Sequence, residues 1–142
     1  MNFFSMRDVK IYRIDHRLAW QIRHEVMYPN QPFEIIKLAN EDEGNHFGLY
    51  VDEELTSVVS LFWDKGIYQF RKFATKTAAQ GCGYGSDLLK YLISYSKEAG
   101  GKQLWCSARV SATGFYAKFG FKQSGQIFTK NNIDFVIMEL LL

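Results

Sequence analysis

Residues 67–101 read IYQFRKFATKTAAQGCGYGSDLLKYLISYSKEAGG, which predicts a strand, a glycine turn and a helix in succession. Its opening segment, Ile67–Thr75, is rich in β-branched and aromatic side chains and predicts a buried strand. Glycines at positions 81, 83 and 85 form a turn. A helix is then predicted to begin at Ser86 and to stop at Gly100 and Gly101. Its buried face is predicted to comprise Leu88, Leu92, Tyr95 and Ala99, flanked by Leu89, Ile93 and Ser96.

A strand that enters a helix through glycines is suited to binding an anion. The first N–H groups of the helix point at the ligand, the helix dipole is positive there, and glycine has no Cβ to keep an anion away. The mononucleotide pattern G-x-x-x-x-G-K-[ST] is absent, and G-x-G-x-x-G fails because Ser86 stands where its third glycine should be. The residues present, QGCGYG at 80–85, fit [QR]-x-x-G-x-[GA]. A plain strand–helix connector is the alternative interpretation.

A second motif follows at residues 109–122, RVSATGFYAKFGFK. It predicts a short helix that carries Phe115 and Tyr116 and ends at Gly120-Phe121. Together the two motifs resemble those of the GNAT superfamily of acetyl-CoA-dependent N-acetyltransferases. The chain between them has room for one helix and the predicted strand Gln103–Ala108, as that family requires. The specific resemblance covers residues 67–121.

The resemblance implies both a fold and an activity. The fold is α/β (α+β), with a mixed, mostly antiparallel central sheet and helices on both faces. The activity is direct transfer of an acetyl group from acetyl-CoA, as co-substrate, to the amine of a small molecule. Two alternatives stay open: a non-catalytic acyl-CoA-binding or sensing domain, and an N-acetyltransferase that acts on protein termini or lysines.

The resemblance also implies roles for individual residues. The strand before the turn would hold the pantetheine arm, and the backbone amides of the turn would hold the pyrophosphate. These cofactor-binding residues are Phe73, Ala74, Thr75, Gln80, Gly81, Cys82, Gly83, Tyr84, Gly85 and Ser86. Tyr116 matches the tyrosine that donates a proton to the CoA thiolate, and a neutral phenol is suited to that role. Packing beside Phe115 and Phe119 is the alternative interpretation of Tyr116.

Three departures from the family pattern concern charge and proton transfer. The turn has no basic residue, so phosphate attraction depends on backbone amides and on Lys76. Arg109 stands where many members have an asparagine that contacts the cofactor, and the two interpretations of it are contact with a phosphate and exposure to solvent. Residues 68–72 include no glutamate to act as general base, so the base is unassigned. The candidates are Glu25, Glu34, His24 and His46, for which solvated or strand-edge positions are the alternative.

The acceptor site is expected over the segment Arg23–Leu38, because in the family this region lies over the acceptor. Glu25 and Glu34 are candidate substrate residues there. Arg23 is a third, because a carboxylate-bearing acceptor would need a cation.

The remaining elements follow from periodicity and turn residues. Asp15 is predicted to cap a helix over 16–28 that stops before Pro29, and Phe33–Ala39 is either a second helix or a loop. The predicted strands are Val9–Ile14, Asn45–Val51, Leu55–Trp63, Ile67–Thr75, Gln103–Ala108 and Ile133–Leu140. The predicted order is β-α-(α)-βββ-α-β-α-β-β, in which the strand before Ile133–Leu140 is given no bounds.

Length and composition predict a single N-acetyltransferase domain over residues 1–142, because 142 residues with 47% hydrophobic content can bury one core. A net charge of +2 indicates no nucleic-acid partner. The N-terminal stretch is expected to be neither a signal peptide nor a membrane span, which predicts a cytoplasmic protein without membrane association. Cys82 and Cys106 are expected to be small buried residues, and no metal site is predicted. The apolar segment Ile137–Leu142 is a candidate homodimer contact.

Overall fold

The computed structural model describes residues 7–142; residues 1–6, part of the N-terminal stretch discussed above, lie outside the described residues. The strands are β1 Val9–Ile14, β2 Asn45–Val51, β3 Glu54–Asp64, β4 Ile67–Thr75, β5 Gln103–Arg109, β6 Lys122–Lys130 and β7 Ile133–Leu141. The α-helices are α1 His16–Met27, α2 Tyr84–Glu98 and α3 Thr113–Ala117. Short 3-10 helices span Phe33–Ile36, Glu41–Glu43, Thr77–Ala79 and Val110–Ala112.

The strands form one seven-stranded sheet in the order β1-β2-β3-β4-β5-β7-β6. The pairs β1–β2, β5–β7 and β6–β7 are antiparallel, whereas β4 and β5 are parallel. A parallel pair needs a crossover connection, and α2 supplies it. The parallel ladder is short and runs in β4 from Ile67 to Gln69. The predicted mixed, mostly antiparallel sheet with helices is therefore confirmed.

The chain divides into two compact units. The first comprises the described residues up to Ser60 together with Lys72–Leu92. In it, α1 packs through Ala19 and Ile22 on Val58 and Ala74. The second comprises Leu61–Arg71 and Ile93–Leu142. There the buried side chains of β5 alternate along the strand, and they are Leu104, Cys106 and Ala108.

Most predicted elements are present, with corrections at their ends. Residues 33–39 form a 3-10 helix only over Phe33–Ile36. The helix after the glycine turn begins at Tyr84 rather than at Ser86, so its first turn includes Gly85. That helix ends at Glu98, which leaves Ala99 exposed beyond its last turn rather than on the buried face. The buried residues of the helix are Tyr84, Leu88, Leu89, Leu92 and Ser96, and Tyr95 is half-buried.

Candidate active site

The glycine turn leads from β4 into α2. Gly81 and Gly83 have φ angles of 81° and 86°, in the left-handed region that side chains disfavour. Nothing lies within 4 Å of a Cβ built on either residue, so the turn is open on this side. The first N–H groups of a helix lack intrahelical acceptors, and α2 begins at Tyr84, directly after Gly83. The turn therefore presents backbone donors to an open surface, as an anion site requires.

The third glycine lies beside the end of β4. A Cβ on Gly85 would lie 3.5 Å from Thr75 Oγ1 and 3.6 Å from Phe73 Cζ, at ordinary contact distance. A small side chain would therefore fit at this position, in contrast to Gly81 and Gly83, whose φ angles favour glycine. The segments predicted to hold pantetheine and pyrophosphate are neighbours here.

The segment Phe73–Thr75 lies beyond the parallel ladder, and its carbonyl groups have local donors. The Ser57 hydroxyl donates to the Ala74 carbonyl oxygen at 3.2 Å, and Gln80 Nε2 donates to that of Thr75 at 3.0 Å. Gln80 therefore fastens the turn to the strand.

Lys76, Lys72 and Arg109 differ in their partners. Lys76, the predicted phosphate contact, forms a salt bridge with Glu54 at 2.9 Å. Lys72 lies inside β4 with a φ of 55°, and its Nζ donates to the Tyr28 hydroxyl at 3.3 Å. Arg109 is half-buried just before the 3-10 helix at 110–112, and no ion pair involves it in the part of the chain that the structure describes.

Tyr116 lies in α3 with 9% of its surface exposed. Its ring centroid is 5.8 Å from that of Phe70 and 5.7 Å from that of Phe121. Burial raises the pKa of Tyr116 above its ordinary value, and the neighbouring Cys106 raises it further. The Cys106 thiol neighbours the phenol, and burial raises the pKa of that thiol to about 12. Both groups therefore stay protonated at neutral pH.

Arg23 and His46 are buried in a polar network that the sequence did not indicate. Arg23 is fully buried and pairs with Glu41, while its other terminal nitrogen donates to Ser60 Oγ at 2.7 Å. His46 Nε2 is 2.8 Å from the Glu41 carbonyl oxygen, and Nδ1 is 2.7 Å from Ser60 Oγ. A carbonyl oxygen only accepts, so the neutral ring carries its hydrogen on Nε2 and accepts from Ser60 at Nδ1.

This network changes the interpretation of both residues. Arg23 is neutralised by Glu41 and takes a structural role, so we infer that it does not meet an acceptor carboxylate. The strand-edge alternative for His46 is wrong, because the ring is 4% exposed within β2. Burial lowers the pKa of His46. The hydrogen bond to the Glu41 carbonyl raises it, and the Arg23 charge lowers it again, so the net shift is downward. Glu41 could not be recognised beforehand, because it begins the acidic run Glu41–Glu43, which is typical of a solvated turn.

The remaining candidate bases lie at the surface. Glu25 is exposed and accepts from Gln21 Nε2 at 3.1 Å, and Glu34 pairs with Lys37 at 3.1 Å. His24 is half-buried, with Nε2 2.7 Å from the Gln31 carbonyl oxygen. These contacts leave the carboxylates accessible to solvent and to an acceptor.

The two cysteines differ in exposure. Cys82 is exposed, so the expectation that it is buried is wrong, whereas Cys106 is buried as expected. Within residues 7–142, no three or more His, Cys, Asp or Glu side chains are grouped to hold a metal ion. No helix in the same range is long and apolar enough to cross a bilayer.

Comparisons with known proteins point to one family. The sequence model described as "Acetyltransferase (GNAT) domain" matches residues 20–142. The chain is 31% identical over 132 residues to the uncharacterised N-acetyltransferase YitI of Bacillus subtilis, an alignment that covers 87% of each protein. A GNAT family acetyltransferase from Elizabethkingia anophelis, solved with acetyl-CoA bound, has a similar fold, with a TM-score of 0.75, 19% identity and coverage of 94% of this chain and 98% of that one. The ribosomal-protein-S18-alanine N-acetyltransferase of Escherichia coli also matches, with a TM-score of 0.80, 18% identity and 94% coverage of both chains.

Proposed function

Because the chain belongs to the GNAT acetyltransferase family and is an acyltransferase, we propose that it moves an acetyl group from acetyl-CoA directly to the amine of a small molecule. The open glycine turn at the start of α2 is the observation that carries this proposal. Acetyl-CoA bound to the Elizabethkingia relative supports the choice of cofactor. The family match over residues 20–142 supports treating the chain as one acetyltransferase domain.

In the proposed reaction, the residues Gln80–Ser86 bind the pyrophosphate through backbone amides, and Phe73–Thr75 bind the pantetheine arm. The neutral amine attacks the thioester carbonyl carbon, the tetrahedral intermediate collapses, and the C–S bond breaks. The leaving thiolate takes a proton from Tyr116, and the amine loses one to a carboxylate or to water. Glu25 and Glu34 are the carboxylates we propose for that step.

Cys106 is not suited to form an acyl-enzyme intermediate. An acyl-cysteine intermediate needs a thiolate nucleophile, and low pKa and accessibility are what make one reactive. Cys106 is 3% exposed, and burial raises its pKa to about 12. We therefore expect Cys106 to remain a thiol throughout turnover.

The proposal is tested with purified protein, acetyl-CoA and a panel of small amines and N-terminal peptides. Free CoA release and product mass are followed together, so that thioester hydrolysis is separated from transfer. We also expect acetyl-CoA to raise the melting temperature by mass action, and ATP or NAD at equal concentration to do so far less. If peptides are acetylated and no small amine is, the acceptors are peptides and the proposed acceptor class is wrong. If neither class is acetylated, the proposed function is contradicted.

A further inference from the structure

Lys72 has an unusual backbone conformation for its place in the fold. Its φ of 55° lies in the left-handed region, although the residue is inside β4. The other non-glycine residues with positive φ within 7–142 lie in the turns after β2, β3 and β6, and they are Asp52, Glu53, Lys65, Asn131 and Asn132. This conformation costs free energy for any residue with a side chain, and such residues cluster at functional sites. Lys72 is therefore a candidate functional residue.

The Lys72 side chain contacts Tyr28, the residue that follows α1. Its Nζ donates to the phenolic oxygen at 3.3 Å and lies 4.7 Å from the ring centroid. A cation over an aromatic ring is attracted by the ring electrons but keeps its full charge. Because Tyr28 accepts from Lys72, its own hydroxyl hydrogen remains available to donate. The two side chains thus place an ammonium and an O–H donor together.

The charge of Lys72 is not balanced by a carboxylate of the described chain. Lys76 and Lys37 each pair with a glutamate, whereas Lys72 belongs to none of the ion pairs found within residues 7–142. Residues 1–6, MNFFSM, contain no acidic side chain. Lys72 is nevertheless half-buried. A partly desolvated ammonium without a counter-ion is stabilised by an anionic ligand.

The position of the pair along the chain relates it to the proposed reaction. Lys72 directly precedes Phe73–Thr75, the segment proposed to hold the pantetheine arm. Tyr28 lies within Arg23–Leu38, the segment predicted to select the acceptor. Arg23, the cation first expected to meet an acceptor carboxylate, is engaged by Glu41. Lys72 therefore supplies the uncompensated positive charge that Arg23 does not.

We infer that Lys72 and Tyr28 bind the carboxylate of the acceptor, so that the substrates are amines that also carry a carboxylate, as amino acids do. The ammonium donates to one carboxylate oxygen, and the Tyr28 hydroxyl donates to the other. This inference rests on the proposed function and names the substrate class of the same site. Lys72 is a specificity-determining residue in this scheme, because it contacts the acceptor without taking part in bond changes.

The test compares amino acids with their primary amides as acceptors, at saturating acetyl-CoA. We expect wild-type protein to favour the amino acid. Lys72→Met should lower kcat/KM for the amino acid by roughly ten- to a hundredfold, mainly through KM, and should leave the amide unaffected. Lys72→Gly, which relieves the left-handed backbone, should behave like Lys72→Met, and Tyr28→Phe should show a smaller loss. Lys65→Met is the matched control, because Lys65 has a φ of 50° in an exposed turn.

A binding measurement separates this inference from the proposed function. Calorimetry on CoA-saturated protein compares N-acetyl amino acids with N-acetyl amides, in wild type and in Lys72→Met. Carboxylate-dependent binding that disappears in Lys72→Met supports the inference even if no amine is turned over, in which case only the proposed function fails. The inference would be overturned if wild-type protein binds carboxylate and amide ligands equally well and shows equal kcat/KM for amino acids and amides, however fast either is turned over. An equal loss for both ligand types in the Lys72 variants would also overturn it.

Discussion

Arg23 and Glu41 form a buried ion pair, with 0% and 5% of their side chains exposed. The pair joins α1 to the 3-10 helix Glu41–Glu43. Arg23 Nη1, the nitrogen that pairs with Glu41, also donates to the Ile36 carbonyl oxygen at 3.2 Å. Trp20 Nε1 donates to the second Glu41 carboxylate oxygen at 3.0 Å. One carboxylate thus holds the segment after α1 against the helix.

Removal of the Glu41 carboxylate should destabilise the protein strongly. In Glu41→Ala the guanidinium stays buried without a counter-ion, which typically costs about 3–5 kcal/mol of unfolding free energy. Glu41→Gln should cost less, because an amide oxygen still accepts from Arg23. The control is Glu34→Ala, since Glu34 forms an exposed pair expected to contribute about 1 kcal/mol or less. Urea unfolding measures the unfolding free energy of all three variants. Similar losses of unfolding free energy in Glu41→Ala and Glu34→Ala would contradict the structural role of the buried pair.

Stability should fall on the acid side of neutrality because of His46. The pKa of His46 is lowered in the folded protein, so below about pH 6.5 the unfolded state binds more protons than the native state. The unfolding free energy therefore decreases as the pH falls from about 6.5 towards the folded pKa. The charged groups around the ring are Arg23 and Glu41, and the His16 ring lies 5.4 Å away.

The measurement is the melting temperature between about pH 7.5 and 5.5. His46→Gln should be less stable at the upper pH and should show a flatter decrease. His24→Gln is the control. The pKa of His46 remains lowered in that variant, so its melting temperature should still fall with decreasing pH. A slope that is unchanged in His46→Gln would assign the acid sensitivity to other groups.

Gly83→Asp should remove most of the affinity for acetyl-CoA. A carboxylate would stand where we propose that the pyrophosphate approaches, and repulsion and obstruction should weaken binding on the order of a hundredfold. Gly100→Asp is a matched control, because Gly100 has a φ of 85° and an equally open Cβ position at the far end of α2. Both variants carry the same backbone strain. If calorimetry gives Gly83→Asp and Gly100→Asp equal affinities for acetyl-CoA, the glycine turn is excluded as the pyrophosphate site.

Tyr116→Phe should lower turnover by about a hundredfold, or roughly 3 kcal/mol of barrier, while acetyl-CoA affinity stays nearly constant. The ring packing survives the change, but the proton donor for the thiolate is lost. Tyr68→Phe is the control, because Tyr68 is also buried and its pKa is also raised by burial. Near-normal turnover of folded Tyr116→Phe would leave the residue with a packing role alone.

Glu25→Gln and Glu34→Gln test the two carboxylates proposed for proton removal. The variant that lacks the base should lose turnover, because the proton that leaves the attacking amine has lost its acceptor, while acetyl-CoA affinity stays unchanged. The double variant keeps both side-chain shapes and serves as the reference for additivity. Wild-type pH profiles in all three would leave proton removal to water.

Local patterns in the sequence were enough to predict the secondary structure around the glycine turn and the family. The strand Ile67–Thr75, the glycine turn and the helix after it are encoded within one continuous stretch, because backbone preference and hydrophobic periodicity act over a few residues. The family could be predicted from that stretch together with the motif around Tyr116. The start of the helix at Tyr84 was missed, because helix ends depend on capping contacts more than on periodicity.

Tertiary structure alone decided which charged groups are available. Arg23 and Glu41 are 18 residues apart in the chain, and Tyr28 and Lys72 are 44 apart. No local pattern relates such positions, and each pair meets only when α1 packs in the folded unit. The charge of Arg23 is balanced by a buried carboxylate, while Lys72 lies beside a phenol and pairs with no carboxylate within residues 7–142. The free energy of an ionised side chain depends on its burial and its nearest counter-charge, and folding sets both.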